Sequence, residues 1–599
     1  MDRKTTIGYV LILGLFLAYF YFNKQTLEDI EQQEALADSA VVEEPIPVDT
    51  VSTEVLVLDS TPKVETKVYR LENNLIAMDL ANLGGIPQQV ELKEFKRYDS
   101  SALILFEEGQ NEFDYLIPLA SGEVLKTQGL DFEVISQSSE GSEHQIKLEA
   151  DLGGGRKVVQ SYKLTDGSYA VDYQVNFKGF ANLISPKNRY IELKWSTQIQ
   201  QQEMLIDEER NNTTVYYKYN SDSDVDHLKE TDSDDEKLKR DLQWISFKQK
   251  FFNVMLINND GFSEDGIRIE SIQDEDATYV EDLKADVYIA FEGSDDEIHS
   301  WQIYFGPNHY QTLKKLDVGA QKIIPLGWGI FGWVNKGLVI PVFNWLEQYF
   351  DNYGIIILCL TLLIKLLLAI PMFKVYQSSA KMRILKPELD EIKERVGDDM
   401  QKMQQEQMKL YKQAGVSPLG GCLPQLIQLP ILFAMFRFFP SSIELRQEKL
   451  WWATDLSTYD SIWDFPGGFE IPFYGDHVSL FTLLMTVVTL VYTFMNSQST
   501  AGLQGPMKYI MYLMPIMFLG FFNNYSAALS FYYLLSTSIT IVQNLVIRNF
   551  FIDEDKLHKK IQENKKKKVT VKKSKLQKRL EDMAKQKGAQ PPKKGSKKR

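Results

Sequence analysis

The distribution of apolar residues divides the chain into two unlike parts. Residues 24–320 are polar and contain short runs of alternating apolar and polar positions, whereas residues 350–550 contain long apolar blocks. A period of two is typical of half-buried β-strands, and about 20 consecutive apolar residues can cross a membrane as a helix. The pattern therefore predicts a soluble β domain attached to a polytopic α-helical membrane domain.

The alternation is clearest at residues 169–177, where aromatic or β-branched residues occupy every second position. The Asp166-Gly167 step before it is typical of a hairpin turn, with the partner strand at 157–164. Many short alternating strands separated by turn residues predict an all-β sandwich over residues 61–320. The same period recurs at residues 191–195, 287–291 and 301–305.

The first apolar run of the chain, residues 7–22, follows Arg3 and Lys4. The run is long for the apolar core of a signal peptide. The triplet Ala35-Leu36-Ala37 resembles a cleavage site but lies well beyond the run. We therefore predict an uncleaved transmembrane anchor at 1–23 rather than a cleaved signal peptide, with its N-terminus in the cytoplasm.

Two segments flank the predicted β domain. Residues 24–60 are acidic with scattered prolines, which predicts a disordered linker. Residues 325–348 are aromatic and amphipathic, and Trp328, Trp333 and Trp345 suit the headgroup region of a bilayer. They predict an interfacial helix on the outer membrane surface, with an ordinary connector as the alternative.

Five further apolar blocks follow within a membrane core at 350–550. Together with the anchor they predict six transmembrane helices and a cytoplasmic C-terminus. The loop at 374–417 carries nine Lys and Arg residues and the loop at 440–478 few, which places the first inside and the second outside. The five blocks are residues 353–373, 419–439, 479–496, 507–522 and 526–547.

Two cytoplasmic segments are expected to meet other molecules. Residues 375–415 contain two runs of helix formers separated by Gly397-Asp398-Asp399, which predicts a helical hairpin. A solvated structural loop is the alternative, but because the hairpin lacks a strong apolar stripe, we expect it to be mobile and to face a partner. Residues 551–599 form a lysine-dense tail, which is expected not to pack from residue 556 onwards. The net charge of −15 is therefore the sum of an acidic first half and a basic end.

The residue patterns give no support for catalysis, a metal site or a cofactor. The chain has no Walker A, H-E-x-x-H or G-x-S-x-G motif, and its two cysteines, Cys359 and Cys422, cannot build a zinc or iron–sulfur site alone. Residues 222–226 resemble the start of a calcium loop, but His227 stands where glycine is needed and Ser233 where the last ligand is needed. We interpret them as a solvated acidic loop and predict that the chain is not an enzyme.

Polar side chains within the apolar blocks are the main candidates for function. Lys365 lies near the middle of its block, where a charge costs about 2.5–3.5 kcal/mol even on lenient insertion scales. Its predicted surroundings are a water-filled or protein-lined cavity. Thr361 lies one helical turn earlier on the same face, and Gln425 and Gln428 share a face of the next block.

Two further stripes have both a functional and a purely structural interpretation. Interhelical hydrogen bonding explains a single Thr or Gln as well as a client site does, and methionines can fill a core as well as adapt to varied apolar partners. The polar stripe of the last block is Tyr533, Thr537, Thr540 and Asn544. The methionine face of the block before it is Met507, Met511, Met514 and Met517.

Several of these segments together resemble one family. Residues 416–431 (VSPLGGCLPQLIQLPI) are similar to the opening of the third span in the YidC and oxidase-assembly family of membrane insertases. Residues 380–399 look like the cytoplasmic hairpin of that family. Residues 442–447 and 529–537 fit its later segments, and residues 83–86 resemble the start of its periplasmic domain. The resemblance covers nearly the whole chain.

The resemblance implies a periplasmic β-supersandwich related in shape to sugar mutarotases but without their activity. It also implies a conserved core of five spans around a hydrophilic groove that is open to cytoplasm and lipid. The family's groove cation, usually arginine, corresponds to Lys365, the threonine beside it to Thr361, and its substrate-contacting tyrosine to Tyr533. The nearby proline, Pro371, is displaced by one position from the family's pattern.

The implied function is insertion and folding of integral membrane proteins in the bacterial inner membrane, alone or with the Sec translocon. Nascent membrane proteins are the expected clients, with membrane lipids in contact with the spans. The ribosome and signal recognition particle components are the expected partners of the hairpin and the basic tail. The Met507, Met511, Met514 and Met517 face is expected to serve as a hydrophobic slide.

Two other classes of protein are weighed against this interpretation. A solute transporter or channel predicts repeated spans with broken helices, and no repeat is visible between the apolar blocks. A membrane-tethered carbohydrate-active enzyme predicts a cluster of histidine and carboxylate side chains in the β domain. The histidines of that domain are scattered singly along the sequence.

Overall fold

The computed structural model describes residues 65–181, 183–184, 190–262, 266–274, 277–397, 399–416, 423–497 and 507–566. The predicted anchor at 1–23 and the predicted linker at 24–60 lie outside these residues. The described chain consists of an all-β domain followed by a helical region.

Strands fill the first part of the described chain, from Val68 to Pro307. They are β1 (Val68–Glu72), β2 (Ile76–Ala81), β3 (Pro87–Lys96), β4 (Ala102–Ile104), β5 (Asn111–Pro118), β6 (Val124–Lys126), β7 (Glu133–Glu140), β8 (Glu143–Gly153), β9 (Arg156–Thr165), β10 (Ala170–Lys178), β11 (Tyr190–Ile199), β12 (Thr214–Tyr219), β13 (Asp226–His227), β14 (Asp234–Leu238), β15 (Leu242–Lys248), β16 (Phe252–Phe262), β17 (Ile267–Ile272), β18 (Glu281–Ala290) and β19 (Asp296–Pro307).

The strands form three antiparallel sheets. The largest has nine strands in the order β13-β12-β15-β16-β19-β10-β9-β8-β7, and the second has six in the order β14-β17-β18-β11-β5-β6. A four-stranded sheet contains β1 to β4 in chain order. Buried and more exposed side chains alternate along β10 and β11, so each strand gives one face to a core.

The nine-stranded and six-stranded sheets share an aromatic core. The hydroxyl of Tyr115 on β5 donates to that of Tyr173 on β10 at 3.1 Å. Trp195 on β11 stacks on Phe247 of β15 with 3.7 Å between ring centroids. Contacts of this kind between inner faces define a sandwich, so the predicted all-β sandwich is confirmed.

The strand positions predicted from alternation are also confirmed. The run at 169–177 falls on β10, and the partner strand at 157–164 falls on β9. The turn between them has Gly167 at φ 76°, a left-handed conformation that glycine adopts without steric cost. The three later runs fall on β11, β18 and β19.

Helices dominate the chain after the last strand of the sandwich. One short helix, α1 (Ile206–Arg210), lies earlier, between β11 and β12. The described helices after the sandwich are α2 (Tyr310–Lys315), α3 (Gly329–Val334), α4 (Ile340–Glu347), α5 (Tyr353–Ile384), α6 (Lys386–Val396), α7 (Met400–Ala414), α8 (Leu423–Ser441), α9 (Leu480–Ser497), α10 (Met507–Asn523), α11 (Ala527–Val546) and α12 (Glu554–Lys566). Two short strands, β20 (Trp463–Asp464) and β21 (His477–Val478), pair in the loop before α9.

Two of the described helices are long and apolar enough to cross a membrane, Tyr353–Ile384 and Ala527–Phe551. Shorter apolar helices lie at Leu480–Asn496 and Tyr512–Asn523. The segment predicted to be interfacial folds as α3 and α4, joined by a π-helical turn at Asn335–Val339. Its three tryptophans are exposed, although the position of this segment at a membrane surface stays a prediction.

The predicted lack of an apolar stripe in the hairpin at 375–415 is wrong. Asp399 begins α7 by accepting a hydrogen bond from the backbone N–H of Lys402 at 3.0 Å, as expected for a cap between two helices. However, α6 and α7 close around a small core of their own. Its buried members on these helices and their ends are Leu385, Leu389, Ile392, Leu410, Tyr411 and Ala414. This core forms because apolar residues at helical spacing on both helices face each other.

The expectation that the tail does not pack from residue 556 onwards is wrong for its described residues. Helix α12 buries Ile561 in the hairpin core. The Lys565 ammonium pairs with the Glu388 carboxylate of α6, and Asn564 donates to the Ala414 carbonyl at 3.3 Å. Leu557 and Ile561 lie one turn apart, so they form a short apolar stripe among the lysines.

A buried carboxyl makes the stability of the β domain depend on pH. Glu281 of β18 is fully buried, and burial raises its pKa to about 8, while the Ser271 hydroxyl donates to it. Because the folded pKa is raised, the folded protein favours the protonated, neutral form of the Glu281 carboxyl. The stability that this preference contributes is complete below about pH 4.5 and is lost as pH rises through 8.

We therefore expect the Glu281→Gln variant to gain stability over the wild-type sequence as pH rises from 5 to 9, by on the order of a few kcal/mol in total. The measurement is urea unfolding of fragment 61–320 at several pH values. The matched control is Glu140→Gln, at an exposed position of β7. Parallel pH profiles for the wild-type and Glu281→Gln fragments would contradict the expectation.

Candidate functional site

The candidate site is centred on the buried cation Lys365 of α5. This helix begins at Asn352, whose side chain accepts from the backbone N–H of Ile355 at 3.1 Å, and it continues through Pro371. Lys365 is 4% exposed, and its neighbours Thr361 and Ile364 are also buried. The charge therefore lies inside the helical region rather than on its surface.

Two other helices supply the hydrogen-bond partners of Lys365. Its ammonium donates to the Thr540 hydroxyl of α11 at 2.9 Å and to the Gln428 side-chain oxygen of α8 at 3.2 Å. Gln428 in turn donates to the Tyr532 hydroxyl at 3.5 Å. The Thr540 hydroxyl donates to the Ser536 carbonyl at 2.7 Å, which turns its lone pairs toward the ammonium. Three helices are thereby joined around one cation.

Within the described residues, no carboxylate pairs with Lys365, and neutral oxygens alone solvate the charge. Burying a cation without a counter-charge is costly even when it is hydrogen-bonded. An arrangement that is unfavourable for stability is suited to binding, because an incoming anionic or polar group regains the missing interaction.

The structure brings together only part of the predicted polar set. Lys365, Gln428 and Thr540 are in direct contact. Thr361 is buried one turn away, but its hydroxyl donates to the Ile357 carbonyl of its own helix at 2.6 Å. Thr537 is half-buried on α11.

Other predicted residues lie apart from Lys365 or cannot be assigned. Tyr533 packs against the Phe522 ring of α10, with 6.2 Å between centroids. Asn544 donates to Asn496 of α9 at 3.0 Å. Met514 and Met517 are exposed on α10, as a client-facing slide requires, although their role stays a prediction. The side chains of Gln425, Met507 and Met511 lie outside the described set.

Sequence reasoning missed two members of the site. Tyr532 is buried and accepts from Gln428, whereas the adjacent Tyr533 was the predicted member. Gln543 donates to the Lys365 backbone carbonyl at 3.5 Å. Both residues lie on the same face of α11 as Thr540. Helical periodicity alone places Tyr532 and Tyr533 on that face almost equally well, so it does not distinguish between them.

Sequence reasoning also missed the junction between the β domain and the helical region. Arg446, between α8 and α9, donates to the Glu203 carboxylate at 2.7 Å and to the Gln202 carbonyl at 3.2 Å. Its guanidinium lies 5.1 Å from the Phe252 ring centroid. The next residue, Gln447, donates to the Arg97 carbonyl at 2.9 Å. This buried ion pair fixes the loop after α8 to the sandwich.

Two glutamates lie close together at this junction. Burial raises the pKa of Glu203, and the Arg446 charge opposes that rise. Burial and the neighbouring Glu203 raise the pKa of Glu209 to about 8, although Glu209 accepts backbone hydrogen bonds from Gln202 and Glu203. The junction therefore depends on Arg446 for charge balance.

The described residues form no cluster of three or more His, Cys, Asp or Glu side chains suited to a metal ion. In the acidic segment at 222–226, Asp222 accepts from Arg240 at 2.9 Å and Asp224 pairs with Lys322 at 3.5 Å. The described chain therefore combines an all-β domain with a region of apolar helices, two of them long enough to span a membrane, that surrounds a buried cation.

Comparisons with known proteins identify the family. Residues 345–556 match the family described as 60Kd inner membrane protein, and residues 68–340 match the YidC periplasmic domain. The chain is 37% identical to the membrane protein insertase YidC of Parabacteroides distasonis over 97% of each chain. It is 36% identical to that of Amoebophilus asiaticus over 98% of each chain. The chain belongs to the YidC family of membrane protein insertases.

A solved structure described as an active YidC insertase is also similar to this chain. The two share 18% sequence identity, and the match covers 81% of this chain and 95% of that one with a TM-score of 0.32. The family assignment rests on the sequence relatives and confirms the resemblance noted at residues 380–399 and 416–431. The expected likeness in shape to sugar mutarotases stays a prediction.

Proposed function

We propose that this protein inserts other proteins into the lipid bilayer, and that Lys365 with its hydrogen-bond partners receives the polar flank of the client segment. The observation that carries the proposal is a cation 4% exposed, held by Gln428 and Thr540 without a carboxylate partner in the described residues. Membership of an insertase family supports the same activity.

The proposed topology has six spans, formed by an anchor at 1–23 and by α5, α8, α9, α10 and α11. Helices of 17 to 20 residues, such as α10 and α11, are about 25–30 Å long and match the hydrocarbon core. Both termini and the hairpin would lie in the cytoplasm, and the β domain in the periplasm, as the lysine and arginine distribution favours. The segment from α3 to α4 would lie along the outer surface.

In the proposed mechanism, a nascent client segment enters a polar groove between the spans. Lys365, Gln428 and Thr540 partly replace the water around its polar flank, which lowers the cost of moving that flank through lipid. The apolar part of the client then moves along the exposed Met514 and Met517 face into the bilayer. Burial of about 20 apolar residues in lipid drives the step, so no nucleotide is required.

The proposed partners are nascent membrane proteins, the Sec translocon, the ribosome and signal recognition particle components. The lysine-dense tail suits ribosomal RNA or anionic lipid. The hairpin would act as a pre-formed surface, because its internal core and α12 hold it together. A solute transporter or channel is not favoured, because the related proteins are insertases.

Two truncations separate ribosome binding from hairpin stability. Removing residues 567–599 is expected to weaken ribosome association and to reduce its salt dependence, since many phosphate contacts are lost. The hairpin should remain intact. Removing residues 554–599 should also raise the protease sensitivity of the hairpin, because Ile561 leaves its core.

The measurements for the truncations are ribosome co-sedimentation at several salt concentrations and limited proteolysis. Equal ribosome binding by the full chain and the 567–599 truncation would contradict the role of the tail. Equal hairpin protection in both truncations would contradict the role of α12.

Reconstitution tests the proposed function directly. The purified full chain is placed in liposomes, and a client with one apolar span is translated in their presence without other membrane proteins. We expect the protease-protected fraction of client to rise well above that of protein-free liposomes. Liposomes with an unrelated polytopic protein control for general disturbance of the bilayer, and equal protection in all three would reject the proposal.

A further inference from the structure

A polar cleft lies where α5, α9 and the end of α11 meet, and it is separate from the Lys365 site. It is small, with a cavity volume of about 30 Å³, and it opens to the surface. Within the described residues that line it, none is acidic and two are arginines. The lining includes Tyr376 and Arg383 of α5, Asn496 of α9, Asn544 of α11, and Arg548 in the π-helical turn (Ile547–Phe551) that follows α11.

One side chain in this cleft has an unmet hydrogen-bonding requirement. Tyr376 is 5% exposed, and its hydroxyl has no hydrogen-bond partner in the described residues. A buried hydroxyl without a partner costs free energy comparable to a lost hydrogen bond. A ligand oxygen in the cleft would supply the missing acceptor.

The charges around the cleft favour an anion. Arg383 donates to the Glu554 carboxylate of α12 at 2.9 Å, so one of the two cations is partly balanced. Arg548 is exposed at the rim. With Glu554 included, the two arginines leave one positive charge. Guanidinium groups bind phosphate oxygens with charge-assisted hydrogen bonds, and a tyrosine hydroxyl can supply a third donor.

Apolar side chains continue from the cleft toward the middle of the proposed membrane core. On α9, exposed residues repeat at helical spacing from Leu484 to Phe494, a distance of about 15 Å. On α11, Val542 and Leu545 are exposed beside the cleft. A length of about 15 Å is half of the hydrocarbon thickness of a bilayer and corresponds to the acyl chains of one leaflet.

The position of the cleft along α5 also agrees with a ligand in one leaflet of the membrane. Tyr376 follows Lys365 by eleven residues of one helix, which is about 16 Å along its axis. If Lys365 lies near the middle of the membrane, Tyr376 lies at the surface of the cytoplasmic leaflet. A phosphate group at that level with apolar chains running inward is the chemistry of a phospholipid.

We propose that this cleft binds the phosphate of one phospholipid of the cytoplasmic leaflet, with Tyr376, Arg548 and Arg383 as donors and the exposed faces of α9 and α11 against the acyl chains. The acidic flank of a client is the competing occupant. The compact cleft and the two apolar stripes beside it favour a lipid with two chains over a polypeptide. The proposal rests on the membrane placement given under the proposed function but not on insertion activity.

Native mass spectrometry of the full chain in a non-ionic detergent tests the proposal. The protein is titrated with phosphatidylglycerol, with diacylglycerol as the lipid that lacks phosphate, and with inorganic phosphate as competitor. We expect one phosphatidylglycerol to be retained more tightly than the rest. Tyr376→Phe and Arg548→Gln should each weaken it by roughly three- to tenfold, and Arg548→Lys should restore part of the loss.

The variants are chosen so that folding is preserved. Tyr376→Phe removes an oxygen that has no partner in the described residues, and Arg548 is exposed. The matched control is Arg395→Gln, which removes an exposed arginine of the hairpin and should leave retention unchanged.

Four results would overturn the proposal. They are wild-type retention in both variants, equal retention of diacylglycerol, displacement of the lipid by equimolar inorganic phosphate, and displacement by an equimolar acidic client peptide. The third would indicate a free-phosphate site and the fourth a client site. Because retention is measured without client insertion, these results leave the insertase activity to be judged by its own reconstitution.

Discussion

The Lys365→Glu variant is expected to lose most insertion activity toward clients with acidic tails, with a rate at least about tenfold below that of the wild-type protein, or about 1.4 kcal/mol in the barrier. The reversal places a carboxylate against Gln428 and Thr540 and repels an acidic flank in a region of low dielectric. Lys365→Arg should keep activity because it keeps the charge. Lys365→Ala should impair clients with acidic tails more than clients with neutral tails.

The measurement for these variants is insertion into proteoliposomes of matched clients that differ only in tail charge. Leu366→Ala is the control on the same helix, since Leu366 is exposed and adjacent. If the Ala and Glu variants insert both clients at wild-type rates, the hypothesis that Lys365 attracts the client electrostatically is wrong. The polarity of the site would then have to act without its charge.

Arg446→Ala is expected to be the most destabilising single change at the junction between the two parts of the protein. It leaves the Glu203 carboxylate buried without the partner that stands 2.7 Å away. Removing one member of a buried ion pair costs roughly 3–5 kcal/mol. Lys250 pairs with Glu208 at 2.8 Å, and its positive charge also stabilises the Glu203 carboxylate. It should therefore keep the loss near the lower end of that range.

The expected result for Arg446→Ala is faster proteolysis between the β domain and α9, together with a lower unfolding temperature of the full chain. Adding Glu203→Gln should recover part of the loss, because the uncompensated charge is removed. Gln447→Ala is the control, as it breaks hydrogen bonds to backbone carbonyls without leaving a buried charge. Arg446→Ala and Gln447→Ala with equal, small effects would show that the ion pair does not fix the junction.

Local sequence patterns are sufficient to predict the strands of the β domain and the residue at the centre of the candidate site. The strands at β10, β11, β18 and β19 follow from alternation, because one face of each packs in the core. The role of Lys365 is predicted because a charge in the middle of an apolar block costs free energy, and few explanations other than a polar binding site account for it. Its contact with Gln428 and Thr540 was only implied by their shared polarity.

Other features depend on tertiary contacts that no local pattern encodes. Glu203 and Arg446 lie far apart in the chain, and either residue alone is typical of a surface. The choice of Tyr532 over Tyr533 depends on how α11 is rotated toward α8. The stripe of Leu557 and Ile561 is too short to be distinguished from the surrounding lysines until the hairpin core is present.

Photo-crosslinking of a ribosome-stalled client tests most directly whether client segments pass beside Lys365. A photoreactive residue is placed at Thr537, one turn from Thr540, where it leaves the Lys365 contacts in place. A second is placed at Val124, exposed on β6. We predict crosslinks from position 537 while the client span is half-emerged, their loss after release, and none from position 124. Efficient insertion without any crosslink from position 537, or equal crosslinks from both positions, would contradict the account.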